Sequence, residues 1–326
     1  MIPEMRPIAI DKNYFRGIMW FMASLCICES NDVITKYLEH NLSPLQVVFG
    51  RFFFSTLLLL PFMIHSTGNF RTRHWKMNFM RGLILFLGMF IWCYGLDASQ
   101  LNIACLINFT TPMFTLLLAA LILKEKIGKT RIVATIAGFL GVAVVLNPWT
   151  TSFPILTASL FLLSAIFFAV LDIFNKILVS KETPITSLFY TGLFTMIFAS
   201  IPLMIPYFLK HDRYLVALND LGREIALIGI KDIFLLTALG LGANLLMFCI
   251  LKSFSYIDVS ATAPFRYVEL ILASVLGYLF FGETIAASTI LGAMIIVPSV
   301  IYLVRFESRV PSKSSLSEKQ TLTHCC

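Results

Sequence analysis

The sequence predicts an all-α polytopic membrane protein: ten transmembrane helices in two inverted five-helix repeats, with both termini cytoplasmic. Three observations carry that expectation. The chain of 326 residues is 58% hydrophobic and 13% charged, with a mean hydropathy of +0.85, whereas soluble domains run near 25% charged. Apolar segments of roughly membrane-spanning length recur along it. Motifs of the first half then return in the second.

The apolar segments cover residues 15–37, 45–64, 79–96, 101–123, 131–147, 155–178, 186–209, 233–252, 258–281 and 285–304. No barrel-like alternation appears, so helices are the spanning form. The first segment is too long for a signal-peptide core and lacks a small-residue cleavage site.

Basic residues set the sidedness. Arg6, Lys12 and Arg16 lie before or at the start of the first segment, Arg71, Arg73, Lys76 and Arg81 between the second and the start of the third, and Lys124, Lys126, Lys129 and Arg131 between the fourth and the start of the fifth. Lys176, Lys181, Lys252, Arg305, Arg309, Lys313 and Lys319 fall on the same side, read as cytoplasmic. The opposite side holds Lys210, Arg213, Arg223 and Lys231, balanced by Asp212, Asp220, Glu224 and Asp232. The chain thus divides into an N-terminal segment (1–14), a first repeat (15–147), a second repeat (155–304) with an external connection at about 210–232, and a polar tail (305–326). Position accounts for the net charge of +7, so the expected partner is a lipid bilayer and not nucleic acid.

The repeat is read from paired motifs. Asp32-Val-Ile-Thr-Lys36 matches Asp172-Ile-Phe-Asn-Lys176, and Ser43-Pro44 matches Thr183-Pro184 at the same offset. Lys124-Glu125-Lys126-Ile127 resembles Gly282-Glu283-Thr284-Ile285, and Thr135-Ile-Ala-Gly138 resembles Thr289-Ile-Leu-Gly292. Five helices per half is an odd number, which forces the halves into opposite orientations, as in many secondary transporters.

Several polar residues lie within these apolar runs. The stretch Asp258–Glu269 contains Pro264, Arg266, Tyr267 and Glu269. An ionised Arg or Glu at mid-membrane costs about 2.5–3.5 kcal/mol on insertion scales, so such residues usually face an internal cavity. Arg266 and Glu269 are spaced to pair with each other or to flank one ligand. Pro264 cannot donate to the Ser260 carbonyl and favours a kink.

In the first helix Glu29, Asp32 and Lys36 form one stripe, with Asn31 alongside. Lys36 is placed to snorkel to the interface. Glu29 is deeper, and could bind a cationic substrate, carry a coupling proton, or pair with Arg51 or Arg266. Asp172 and Lys176 are spaced as an i, i+4 ion pair. Together with Asp32–Lys36 they read as two symmetry-related pairs that open alternately at opposite faces.

Arg51 carries the fork that suits a carboxylate or phosphate. Asn108, Asn244, Tyr94 and Trp92 add polar edges and aromatic faces, in roles open between interhelical packing and ligand contact. Trp20, Trp75 and Trp149 read as interface anchors, and Gly138, Gly141 and Gly292 as close-packing positions. Of the seven cysteines, Cys26, Cys28, Cys93, Cys105 and Cys249 lie in apolar runs. The five histidines fall at segment ends or in connections. Neither metal nor cofactor is expected.

Two inverted five-helix repeats with Glu125 and Glu283 ending the fourth helices resemble the EamA branch of the drug/metabolite transporter superfamily, over essentially the whole chain. Four stretches are similar, more narrowly, to the S-adenosylmethionine uptake transporters of obligate intracellular bacteria. They are Asn31–Leu38, Arg51–Ser55, Leu171–Lys176 and Ala261–Leu270. The resemblance implies uptake of a small metabolite across a bacterial inner membrane, or its exchange with S-adenosylhomocysteine.

The residue inventory fits such a ligand. Glu29 and Glu269 suit the sulfonium and amino cations, and Arg266 or Arg51 suits the carboxylate. Tyr267, Phe265 or Trp92 can stack on adenine and meet the sulfonium by cation–π attraction. The same inventory fits any zwitterionic amino acid, so chemistry alone gives an amphoteric metabolite. A membrane enzyme would need a nucleophile–base pair, a metal cluster or a cofactor motif, and none is found. A non-transporting receptor is the remaining alternative class.

Overall fold

The structure, a computed structural model, describes residues 12–38, 41–66, 72–97, 107–146, 155–210, 229–281 and 287–307. The polar tail beyond Glu307, most of the 210–232 connection, Trp149 and Glu283 lie outside the described residues.

Prolines and hydroxyl caps set several helix starts. α1 (Lys12–Leu38) is followed by α2 (Pro44–Ser66). Ser43 Oγ accepts from Gln46 N–H, while Gln46 Oε1 accepts from Ser43 N–H at 2.8 Å. This is a capping box, with Pro44 at the first helical position where no N–H is needed. α7 (Pro184–Lys210) begins in the same way, Thr183 Oγ1 accepting from Thr186 N–H. The repeated Ser-Pro and Thr-Pro motifs are therefore equivalent helix starts.

Between them lie α3 (Trp75–Asp97), α4 (Thr111–Leu121), α5 (Lys129–Leu146) and α6 (Ile155–Val179). α8 (Ile230–Tyr256), α9 and α10 (Ala287–Glu307) complete the described helices. α9 is interrupted: an α turn over Val259–Thr262, a 3-10 stretch over Ala263–Tyr267, then regular helix over Val268–Phe281. The expected kink at Pro264 takes that form, because a proline offers no N–H to an α ladder. Among the described residues six helices are long and apolar enough to cross a membrane.

α1 packs chiefly on α8 and also meets α9, α5 packs on α10, and α3 packs on α6 and α7. α2 packs on α7 and α8, and α4 on α6. One buried cluster joins Tyr14, Ile18, Phe21 and Leu25 of α1 to Phe254, Ile257, Val259 and Phe265, which marks the Lys12 end of the bundle. A second joins Leu38, Leu42 and Val47 to Leu236 and Leu239 at the Leu38 end. α1 and α8 therefore run antiparallel.

Small residues permit the closest crossings. A Cβ on Gly141 would lie 3.1 Å from the Gly292 carbonyl oxygen, and one on Gly292 would lie 2.6 Å from the Gly141 oxygen. A Cβ on Gly138 would lie 2.1 Å from the Tyr267 ring. The three glycines are close-packing positions, as the sequence reading expected.

Candidate substrate site

α1, α6 and α9 bring one group of charged side chains together inside the bundle. Arg266 follows Pro264 in the 3-10 stretch, and its Nη2 donates to Asp172 Oδ1 at 2.8 Å and Oδ2 at 2.6 Å. Thr115 Oγ1 of α4 donates to Asp172 Oδ2 at 3.2 Å. Asp172 is 3% exposed, and a buried carboxylate needs this charge and these donors to remain there. The guanidinium also lies 5.9 Å from the Phe21 ring centroid, within cation–π range.

Glu269, one helical turn beyond Arg266, is half-buried beside the Cys28 side chain of α1. Glu29, the next residue of α1, is buried at 7% exposure and lies close enough to Glu269 and Asp32 for their charges to interact. Neither Glu29 nor Glu269 makes a close ion pair among the described residues. The arrangement is thus two carboxylates from different helices beside one arginine that is committed to a third carboxylate.

The i, i+4 spacing predicts an Asp172–Lys176 pair, and the structure separates the two. Lys176 Nζ donates instead to the Phe254 and Ile257 carbonyl oxygens, at 2.6 and 2.7 Å. The last carbonyls of α8 have no helical donor, so an ammonium satisfies them, while the planar guanidinium of Arg266 suits the carboxylate better. Asp32 and Lys36 lie exposed near the Leu38 end of α1.

The remaining expected site residues are dispersed. Arg51 is half-buried on α2, its Cζ 6.0 Å from the Phe52 centroid, and its Nε is buried with no hydrogen-bond partner. One turn along, Ser55 Oγ donates to Asn244 Oδ1 at 2.6 Å and Asn244 Nδ2 donates to the Ser55 carbonyl at 2.9 Å. Asn244 therefore ties α2 to α8.

Trp92 meets Phe161 edge to face at 5.3 Å. Asn108 accepts from Thr111 Oγ1 through its carbonyl at 2.6 Å, a local turn at the start of α4. Phe265 and Tyr267 are 2% and 0% exposed. Phe265 belongs to the cluster at the Lys12 end, and Tyr267 packs on Gly138 and Phe109. Both rings are engaged by protein.

Two polar clusters escaped the sequence reading. Glu182, in the α6–α7 turn, accepts from Thr72 Oγ1, from His74 N–H at 3.1 Å and from Asn78 Nδ2 at 2.8 Å. Nearby, Arg81 Nη1 donates to Ser187 Oγ. Arg81, counted in the sequence among the cytoplasmic-side charges, is fully buried. At the Lys12 end, Glu125 and Arg131 reach the α8–α9 corner. The repeated Lys-Glu-Lys-Ile motif pointed at Glu125, but its partners lie more than a hundred residues away and no local spacing reveals them.

Comparison with known proteins gives this architecture its family. The EamA-like transporter family matches residues 15–147 and 155–305. The S-adenosylmethionine uptake transporter of Rickettsia felis is 38% identical over 94% of this chain and 98% of that protein. The one from Rickettsia bellii is 40% identical over 93% and 98%. The riboflavin transporter of Vibrio cholerae is more distant, at 28% over 93% and 97%. A solved crystal structure superposes with a TM-score of 0.72 at 13% identity, over 92% of this chain and 99% of that one, a likeness of fold alone. With both halves matched by one family and near-full-length relatives named as uptake transporters, the chain belongs to the EamA-like transporter family and is a transporter, not an enzyme.

Proposed function

We propose that the chain takes up S-adenosylmethionine across a bacterial inner membrane by alternating access. Ten transmembrane helices form two inverted five-helix repeats, with both termini cytoplasmic. The packing supports the inversion. Exchanging each helix for the one five places along turns the α1–α8 contact into α6–α3, α2–α8 into α7–α3 and α4–α6 into α9–α1. The α2–α7 and α5–α10 contacts map onto themselves.

The observation that carries the substrate reading is that Glu29 of α1 and Glu269 of α9 lie close enough inside the bundle for their charges to interact. Two carboxylates with no dedicated cation suit a ligand bearing two positive groups, here a sulfonium and an α-ammonium. Asp172 accepts from Arg266 Nη2 through both oxygens, while the Nε of Arg266 and the Nε of Arg51 both lack a partner, so the α-carboxylate falls to one of these two arginines. The names of the Rickettsia relatives agree with this chemistry. Riboflavin, the substrate named for the Vibrio cholerae relative, has no fixed cation to meet the carboxylates.

The test is uptake of labelled S-adenosylmethionine by cells expressing the chain, with unlabelled competitors in excess. Saturable uptake suppressed by S-adenosylmethionine and not by riboflavin is expected. Uptake absent from cells whose membranes contain the folded protein, or suppressed by riboflavin equally, would overturn the assignment.

A further inference from the structure

Three side chains from three places in the chain converge on the corner between α8 and α9. Asp258 stands at the N-cap of α9 with extended backbone, yet its side chain makes no cap. Glu125 supplies one from across the bundle. Its Oε1 accepts from Val259 N–H at 3.1 Å, and its Oε2 accepts from Ser260 N–H at 3.0 Å and Ser260 Oγ at 2.5 Å. A carboxylate here satisfies donors that a helix start leaves open and lies at the positive end of the helix dipole.

Arg131 of α5 donates to Asp258 Oδ2 at 3.4 Å and also to Ser260 Oγ. Lys176 of α6 closes the other side of the corner on the Phe254 and Ile257 carbonyls. The backbone before Glu125 is bent to make this reach: Lys124 has a φ of 55°, the left-handed region that a side chain other than glycine's seldom adopts. Among the described residues no other non-glycine residue has positive φ.

The segment held this way is a single α turn, Val259–Thr262, buried at 0–1% exposure. Behind it lies the 3-10 stretch Ala263–Tyr267 with Pro264, and a 3-10 interruption within a helix often marks a hinge. Arg266 sits in that hinge and Glu269 immediately beyond it. A fixed turn, a hinge and the charged site therefore follow one another along α9.

We propose that Glu125 is a positioning residue that latches this corner. While it caps α9 the Lys12 end of the bundle is closed and Arg266 and Glu269 keep their places. Release of the cap swings the Val259–Thr262 turn away and opens the passage at that end. Arg131 and Lys176 assist as second and third fastenings. The inference rests on the transporter reading above, and its test involves no substrate, so the two can fail separately.

The readout is the rate at which a small maleimide modifies Thr262→Cys in membranes, measured at residue 262 by peptide mass spectrometry. Ala199→Cys, equally buried in α7, serves as a control distant from the corner. Adding Glu125→Ala is expected to raise modification at 262 about tenfold, the shift in an open–closed equilibrium that loss of a good cap brings, and to leave residue 199 unreactive. Arg131→Gln, which spares the cap, is expected to raise it a few-fold by the same route. If Glu125→Ala does not accumulate in membranes, Arg131→Gln alone decides. An unchanged rate at 262, or an equal rise at 199, would overturn the latch.

Discussion

At Arg266 the guanidinium serves Asp172 through both of its oxygens, so its loss acts on a buried carboxylate first. Arg266→Gln is expected to cost about 3–5 kcal/mol, the usual penalty for stripping one partner from a buried pair. Denaturation of the purified protein in detergent measures it. Adding Asp172→Asn to that variant should recover part of the loss, because the orphaned charge goes with it. Gly138 gives a contrasting case at the same scale. A Cβ there would sit 2.1 Å from the fully buried Tyr267 ring, so Gly138→Ala is expected to lose about 1–3 kcal/mol by overpacking. Gly128→Ala meets nothing within 4 Å and should stay within about 0.5 kcal/mol of the parent. Equal melting temperatures for the two alanine variants would contradict the close α5–α9 packing.

Among the elements, local chemistry read well where it is local. Ser43-Pro44 and Thr183-Pro184 announce helix starts because the cap and the proline act within one turn. Pro264 announced a break because it withdraws a donor from its own helix. Hydropathy marked the six described helices that are long and apolar enough to span, because a spanning segment must be apolar along its whole length. Pairings between elements were a different matter. The spacing of Asp172 and Lys176 is right for an ion pair, but each finds a better partner on another helix, one a guanidinium and the other two bare carbonyls. Arg81 served in the sequence only as a cytoplasmic-side charge, and the fold buries it against Ser187. The Glu182 cluster joins the α6–α7 turn to the start of α3, and Glu182→Ala should free that junction. The expected cost is about 1–3 kcal/mol for the buried donors left unpaired, with faster hydrogen exchange confined to the first turn of α3 as its signature.

At the scale of the molecule, the proposed inversion and the charged site make separate demands. Five helices per repeat with an even total place both termini on one membrane face, so reporters fused to either end should be active on the same, cytoplasmic, side. Opposite sides would refute the ten-helix topology while leaving the family untouched. The site demands that carboxylates from α1 and α9 act together on one ligand. The most direct measurement is the concentration dependence of labelled S-adenosylmethionine uptake by the parent chain, Glu269→Gln and Glu29→Gln, at matched abundance in the membrane. Saturable parental uptake, with loss of at least about tenfold in Vmax/KM for each variant, is the predicted result, since each removes one charged contact to a cation. Variants that transport as well as the parent would contradict the site, and a parent that does not transport S-adenosylmethionine at all would contradict the substrate.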